Sequence, residues 1–292
     1  MTRAQHGAWL RAMPVVFVLI WSTGFVVARL GMPHAPPMGF LAWRYALSIL
    51  AIGAWIVLAR GVSWPRGRGQ WLHLAVLGTL QHAGYLGGVW AAVKLGMPAG
   101  LAALIVCLQP VLTATWLSWH GSAHRVTPRQ WLGLWLGLGG LTLVLWRRMH
   151  GGEIDAVSLA LAVGALLSIT VGTLYQKRFV APVDVRSANL VQLIAALVVT
   201  LPLALLEHET MHWNAQLWAA MAWSVLALTL GGSSLLYLLI QRGAATEVTS
   251  LLYLVPPCTA LMAWIGFGEA VTPSMLLGMA LCATAVFLVR RG

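Results

Sequence analysis

Apolar residues run along the chain in ten stretches, at residues 12–30, 38–59, 70–93, 97–119, 128–147, 156–178, 186–206, 215–241, 246–267 and 272–290. Each is close to the ~20 residues an α-helix needs to cross a bilayer. The pattern therefore predicts an all-α integral membrane protein with ten transmembrane helices. Polar residues and chain breakers gather in short connections such as GMPHAPPMG, RGVSWPRGRGQ and EHETMHWNA, none long enough for a soluble domain. The first apolar stretch is too long for a signal-peptide core and lacks a small-x-small cleavage site, so it is expected to remain as the first span.

The chain repeats itself. LQPVLTA at 108–114 returns as LVPPCTA at 254–260, and VTP at Val126–Pro128 returns at Val271–Pro273, each time followed five residues later by a glycine, Gly133 and Gly278. The expected units are residues 1–150 and 151–292. Five spans per unit is an odd number, so the second copy must enter the membrane upside down. The loops agree: basic RGVSWPRGRG after the second span corresponds to EHETMHWN, without Lys or Arg, after the seventh. Inverted repeats of this kind build transporters around a central site that opens to each side in turn; a duplicated structural bundle is the plainer reading.

Charge fixes the expected orientation. With a cytoplasmic N-terminus, thirteen Lys or Arg residues fall on the cytoplasmic side and four (Arg29, Lys94, Arg147, Arg148) on the other, which by the positive-inside rule puts both termini inside. Arg147–Arg148 is the clear violation. Overall, 60% of residues are hydrophobic and 9% charged, and the mean hydropathy is +0.82. A soluble chain carries about 25% charge, so the solvent must be lipid. The net charge of +11 sits in clusters between apolar runs, which suits membrane topology and argues against nucleic acid. Cys107, Cys258 and Cys282 lie in apolar runs without CxxC spacing and are read as packing residues.

These features resemble the drug/metabolite transporter superfamily, in its ten-helix EamA-type branch. The marks are IWSTGFVVARLGM followed by LAWRYALSIL, the mid-span Pro110 and Pro256, and GFGEAVTPSMLLGMALCATAVFLV at the end of the ninth span and through the tenth. The first-half copy departs from the pattern, with Ser122 where an acid is usual. Within the branch the chain looks closest to bacterial amino-acid and metabolite exporters, including aromatic amino-acid exporters of the YddG type. The resemblance implies a multi-pass protein of the bacterial inner membrane that acts on a small molecule and works as a monomer, a dimer remaining open. It also makes an ordered structural role for Arg44 likelier than exposure to lipid.

Candidate site residues are the polar side chains inside apolar runs. All seven acids lie outside the span centres, which disfavours a hydrophobic-cation pump and suits zwitterions, neutral molecules or anions. In the third span Gln81, His82 and Tyr85 offer hydrogen bonds, His82 and Tyr85 on a shared side; an interhelical lock is the competing reading. Gln109–Pro110 and Pro256–Pro257 interrupt spans four and nine, where freed backbone groups need a protein partner or a wet cavity. They are read as hinges, or as kinks that shape packing. Ser233, Ser234 and Tyr237 in span eight, Trp21 and Ser22 in span one, Tyr175 in span six and Tyr253 in span nine complete the expected pocket of rings and hydroxyls. For each, packing or lipid contact competes with substrate contact. Arg44 is open to three readings: snorkelling to the surface, tying helices together, or meeting a substrate carboxylate. Gly133, Gly137 and Gly140 lie on one helix face suited to close packing.

The leading expectation is export of small, apolar or aromatic amino acids by alternating access, with efflux of an unrelated neutral or anionic compound as the alternative. An intramembrane hydrolase using Ser233 or Ser234 with His82 is remote, because no serine-hydrolase motif surrounds them. Without HExxH, a P-loop or paired carboxylates, neither metal nor cofactor is expected. With no embedded acid, either His82 carries a proton or the substrate gradient drives transport.

Overall fold

The computed structural model describes residues 3–59, 61–120, 128–150, 154–235 and 254–291. Every regular element among them is helical. Helix α1 (Arg3–Gly31) is followed by a short 3-10 turn (Met32–His34) and α2 (Pro37–Leu58). Helix α3 is continuous but changes type: α over Arg68–Gly78, π over Thr79–Leu86, α again over Gly87–Lys94. Helix α4 has two parts, Ala99–Val106 and Gln109–His120. Then come α5 (Pro128–His150), α6 (Ala156–Phe179) and α7 (Val185–Leu206). Helix α8 is α over Ala215–Trp223 and π over Ser224–Ser233, and α9 (Val255–Phe267) and α10 (Pro273–Arg291) close the chain. Five stretches are long and apolar enough to cross a membrane: Val15–His34, Pro37–Leu58, Ala156–Phe179, Val185–Leu206 and Ala215–Ser233.

Helix starts follow local chemistry. Asp155, Asp184 and Asn214 stand before α6, α7 and α8, and their side chains accept from Ser158 N, Arg186 N and Leu217 N, satisfying amides left without intrahelical partners. Pro256 and Pro257 fall in the first turn of α9, and Pro110 stands second in the later part of α4. Proline is at ease there because a missing N–H costs nothing in a first turn. The interruption of α4 at Cys107–Leu108 thus lies immediately before the predicted hinge. Gly268, at φ +67°, ends α9 in the left-handed conformation.

Helices α2 and α7 pack together along their length, as do α5 and α10. Both pairs run antiparallel. In the first, Met38 and Gly39 lie by Glu207 while Arg186 lies over Trp55. In the second, Cys282 Sγ points to Gly137 O at 3.8 Å, and Gly278 faces Val144 and Gly140. A Cβ at Gly278 would come within 2.5 Å of Val144, and one at Gly140 within 2.8 Å of Leu281. The small-residue face read from the sequence is therefore where the two helices touch. Other contacts come in matching sets: α1 meets α8 and α9, as α6 meets α3 and α4; α2 meets α8, as α7 meets α3. The buried core runs through α1, α2, α3 and the first part of α4, with Phe17, Phe40, Tyr45, Trp90 and Leu101 at or near zero exposure.

Candidate functional site

The two π-helical stretches start 145 residues apart, at Thr79 and Ser224, close to the 146 that separates Pro110 from Pro256. A π turn carries an extra residue and is frequent at functional sites. Between them lies a buried polar cluster anchored on α2. Arg44 (4% exposed) donates from Nε to Thr229 Oγ1 at 3.2 Å, and its Cζ lies 5.9 Å from the centre of the Trp90 ring. Thr229 in turn donates to Ser224 O five residues back, at 2.9 Å, spanning the wide turn. Tyr45, next to Arg44, donates its hydroxyl to His82 O at 2.8 Å, with the two rings edge to face at 5.9 Å. The His82 side chain lies beside Gln192 of α7, and the Tyr85 hydroxyl beside the Trp21 indole of α1. Arg44 is near enough for its charge to act on Tyr45, His82 and Tyr85.

Of the residues singled out in the sequence, Trp21, His82 and Tyr85 lie close to this cluster. Ser22 and Ser233 are turned to their own helices: Ser22 Oγ donates to Val18 O at 2.7 Å and Ser233 Oγ to Leu228 O at 3.4 Å. Ser22 O still accepts from Thr259 of α9 at 3.2 Å. Ser234 is buried. Tyr237 and Tyr253 lie outside the described residues.

Gln81, Gln109 and Tyr175 belong to a second polar group, between α3, α4 and α6. Gln81 Nε2 donates to Gln176 Oε1 at 3.3 Å, Gln109 Nε2 donates to Thr173 Oγ1 at 2.8 Å, and the Tyr175 hydroxyl pairs with His73 Nδ1 at 2.8 Å. Ser168 Oγ also donates to Leu80 O at 2.8 Å. The π turn aims neighbours in α3 at different partners, His82 toward α2 and α7 and Gln81 toward α6.

Residues absent from the sequence-derived candidates are Tyr45, Trp90, Gln192 and Thr229 in the first group and His73 in the second. Gln192 carried a readable signal, an amide, with Asn189 one turn before it, amid the apolar run of α7. Tyr45 and Trp90 read as ordinary aromatic core. No group of three or more His, Cys, Asp or Glu with metal-binding proximity occurs among the described residues.

Comparison with known proteins gives the family. The model of the EamA-like transporter family matches residues 11–146 and again 156–291. The chain is similar to the transporter YvbV of Bacillus subtilis, 26% identical over 280 residues, covering 93% of this chain and 88% of that one. It is 26% identical over 280 residues to the inner membrane transporter YedA of Escherichia coli K12, covering 94% and 88%. A Salmonella typhimurium protein named a "probable amino-acid metabolite efflux pump" is 25% identical over 289 residues, covering 94% and 93%. A solved crystal structure shares the fold, with a TM-score of 0.70 at 22% identity and 96% of both chains covered. Two matches that together span nearly the whole chain, on a bundle of apolar helices, establish that this multi-pass membrane protein belongs to the EamA-like transporter family.

Proposed function

We propose that the chain exports small amino-acid-like metabolites, most readily those with apolar or aromatic side chains, by alternating access. The observation that carries this reading is the buried polar cluster of Arg44, Tyr45, His82, Tyr85, Gln192 and Thr229, bracketed by π segments at matching positions of the two halves. Its rings would receive an apolar side chain and its hydrogen-bonding groups a polar head. Units 1–150 and 151–292 form an inverted repeat in this reading. Support comes from the antiparallel crossing of α2 with α7 and of α5 with α10, as a twofold axis in the membrane plane requires. The protein sits in the inner membrane with both termini cytoplasmic and works as a monomer. The halves rock about the π segments and the breaks that Pro110 and Pro256–Pro257 open, and the substrate gradient drives the cycle.

Counterflow of labelled Phe, Trp, Met and Thr in proteoliposomes, with and without an imposed pH gradient, tests this. Exchange that ignores the gradient is the expected outcome. Exchange that follows it assigns a proton to the cycle and points to His82; no exchange of any of the four removes the substrate class.

A further inference from the structure

We infer that Arg44 is the anchor for a carboxylate on the transported molecule, so that the site selects organic acids, amino acids included, over their neutral counterparts. The inference rests on the preceding reading only in taking the Arg44 cluster as the transport site.

A guanidinium is a fork of N–H donors that cannot be deprotonated in a protein, and taking such a charge out of water costs several kcal/mol unless it is paired and hydrogen-bonded. Arg44 is 4% exposed, within a segment apolar and long enough to cross the membrane. Its one hydrogen bond among the described residues is from Nε to the Thr229 hydroxyl, and its other partner is the Trp90 ring. Both are neutral. The ion pairs of the described residues all lie elsewhere, at Arg29–Glu269, Lys94–Glu209 and Arg186–Asp184. The side chain is held at its Nε edge, leaving the terminal amino groups free to form the bidentate pair that suits a carboxylate.

A second observation points the same way. Ser48 follows Arg44 by one turn on the same side of α2, is fully buried, and its hydroxyl has no partner. Among the described residues, a cation without an anion and a hydroxyl without a partner, one turn apart on a buried face, form half of a recognition site. The missing half is an acceptor carrying negative charge. Tyr85 and Trp90 supply rings beside it, so an arylalkyl or alkyl carboxylate matches better than a small inorganic anion.

The test compares ligands of one shape and different charge, 3-phenylpropionate and 3-phenylpropionamide, by titration calorimetry on the full chain in detergent. Wild type is expected to prefer the carboxylate by roughly thirtyfold or more, the size of effect lost when a buried charge pair is broken, and Arg44→Gln is expected to erase the preference. Equal binding of the two ligands, or binding of neither, overturns the inference and makes Arg44 a hydrated structural cation. A preference that survives Arg44→Gln also overturns it, since another group then reads the carboxylate. Should Arg44→Gln fail to fold, Arg44→Lys serves: it keeps the charge but not the fork, and an unchanged preference counts against the assignment. Phenylalanine exchange separates the two proposals. A carboxylate preference with no amino-acid exchange removes the amino-acid substrate and leaves the anchor standing.

Discussion

The two ends of the helix bundle are closed by different chemistry. At the end where α1, α3, α7 and α9 finish, three carboxylates of the second half reach into the first. Glu207 accepts from Met38 N at 3.0 Å and Gly39 N at 2.7 Å, serving the start of α2, whose own cap residue is Pro36. Glu209 pairs with Lys94, which also donates to Met32 O and Ala35 O. Glu269, just past the left-handed Gly268, accepts from Ala99 N at 3.3 Å at the start of α4 and pairs with Arg29 at 3.4 Å. At the opposite end the bonds between the halves are neutral: Ser187 Oγ to Ser63 O at 2.7 Å, Gln70 with Phe179 O and Ala181 N, and His73 with Tyr175. The ion pair there, Asp184–Arg186, joins residues two apart, and it reaches the first half through the Arg186 guanidinium over the Trp55 ring. A duplicated backbone can thus carry unequal closures, one built on carboxylates that cross between the halves and one whose side-chain hydrogen bonds across the halves, among the described residues, are neutral.

The largest effect should come from the middle that both ends share. Gly78 rests on the backbone of Gln192, with no room for a Cβ, so Gly78→Ala must push α3 off α7. It is expected to cost about 1–3 kcal/mol, lowering the thermal midpoint in detergent. Gly53→Ala, with nothing within 4 Å, should leave the midpoint unchanged or raise it. Next comes the carboxylate end: Glu207→Gln is expected to cost about 0.5–2 kcal/mol, the scale of a lost N-cap, and to speed hydrogen exchange at the first turn of α2. Ser187→Ala at the other end removes one neutral donor shared between Ser63 O and Asp184 O, worth about 1 kcal/mol. Equal exchange changes in the two variants would erase the contrast. Smaller still, raising salt should loosen the exposed Lys94–Glu209 pair by no more than about 1 kcal/mol, with exchange rising around residues 94–99 and not around 63–70.

The smallest effect concerns pH at the neutral end. The Arg186 side chain, and then its backbone N–H, hold the Asp184 carboxyl below its ordinary range. A carboxyl lowered in the folded state stabilises fully above its unfolded value of about 3.9 and loses that contribution as pH falls through the folded one. Between about pH 5 and 8 the Asp184–Arg186 pair should therefore contribute no step to a stability profile. A step in that window abolished by Asp184→Asn would contradict the assignment.

Hydropathy made several helices legible to within a residue or two, from residues 38–59 for Pro37–Leu58 to 186–206 for Val185–Leu206, because lipid demands long apolar runs; it missed the polar first turns of α1, which starts at Arg3 rather than residue 12. The repeat was legible from prolines and glycines, whose backbone consequences differ from those of any other residue. Membership of the site was only half legible. His82, Tyr85 and Trp21 stand out as polar or amphipathic groups in apolar runs, yet which of them meet depends on the π turns. TLQHAGYL and SVLALTLGGS have the composition of ordinary α-helix, and nothing in hydropathy reports a shifted hydrogen-bond register. Arg44 was visible as a charge in a span, but that no carboxylate of the described residues pairs with it is a property of its surroundings alone.

Since a π turn amounts to one residue added to an α-helix, each wide segment stands a single codon away from a regular one. Deleting one residue between Thr79 and Leu86 would let α3 close into plain α and turn Gly87–Lys94 by about 100° with a 1.5 Å shift along the axis. Trp90 would leave Arg44, and Lys94 would leave Glu209. A one-residue deletion scan through α3 and α8 thus reads out, position by position, how much of the molecule was laid down by insertion rather than by substitution.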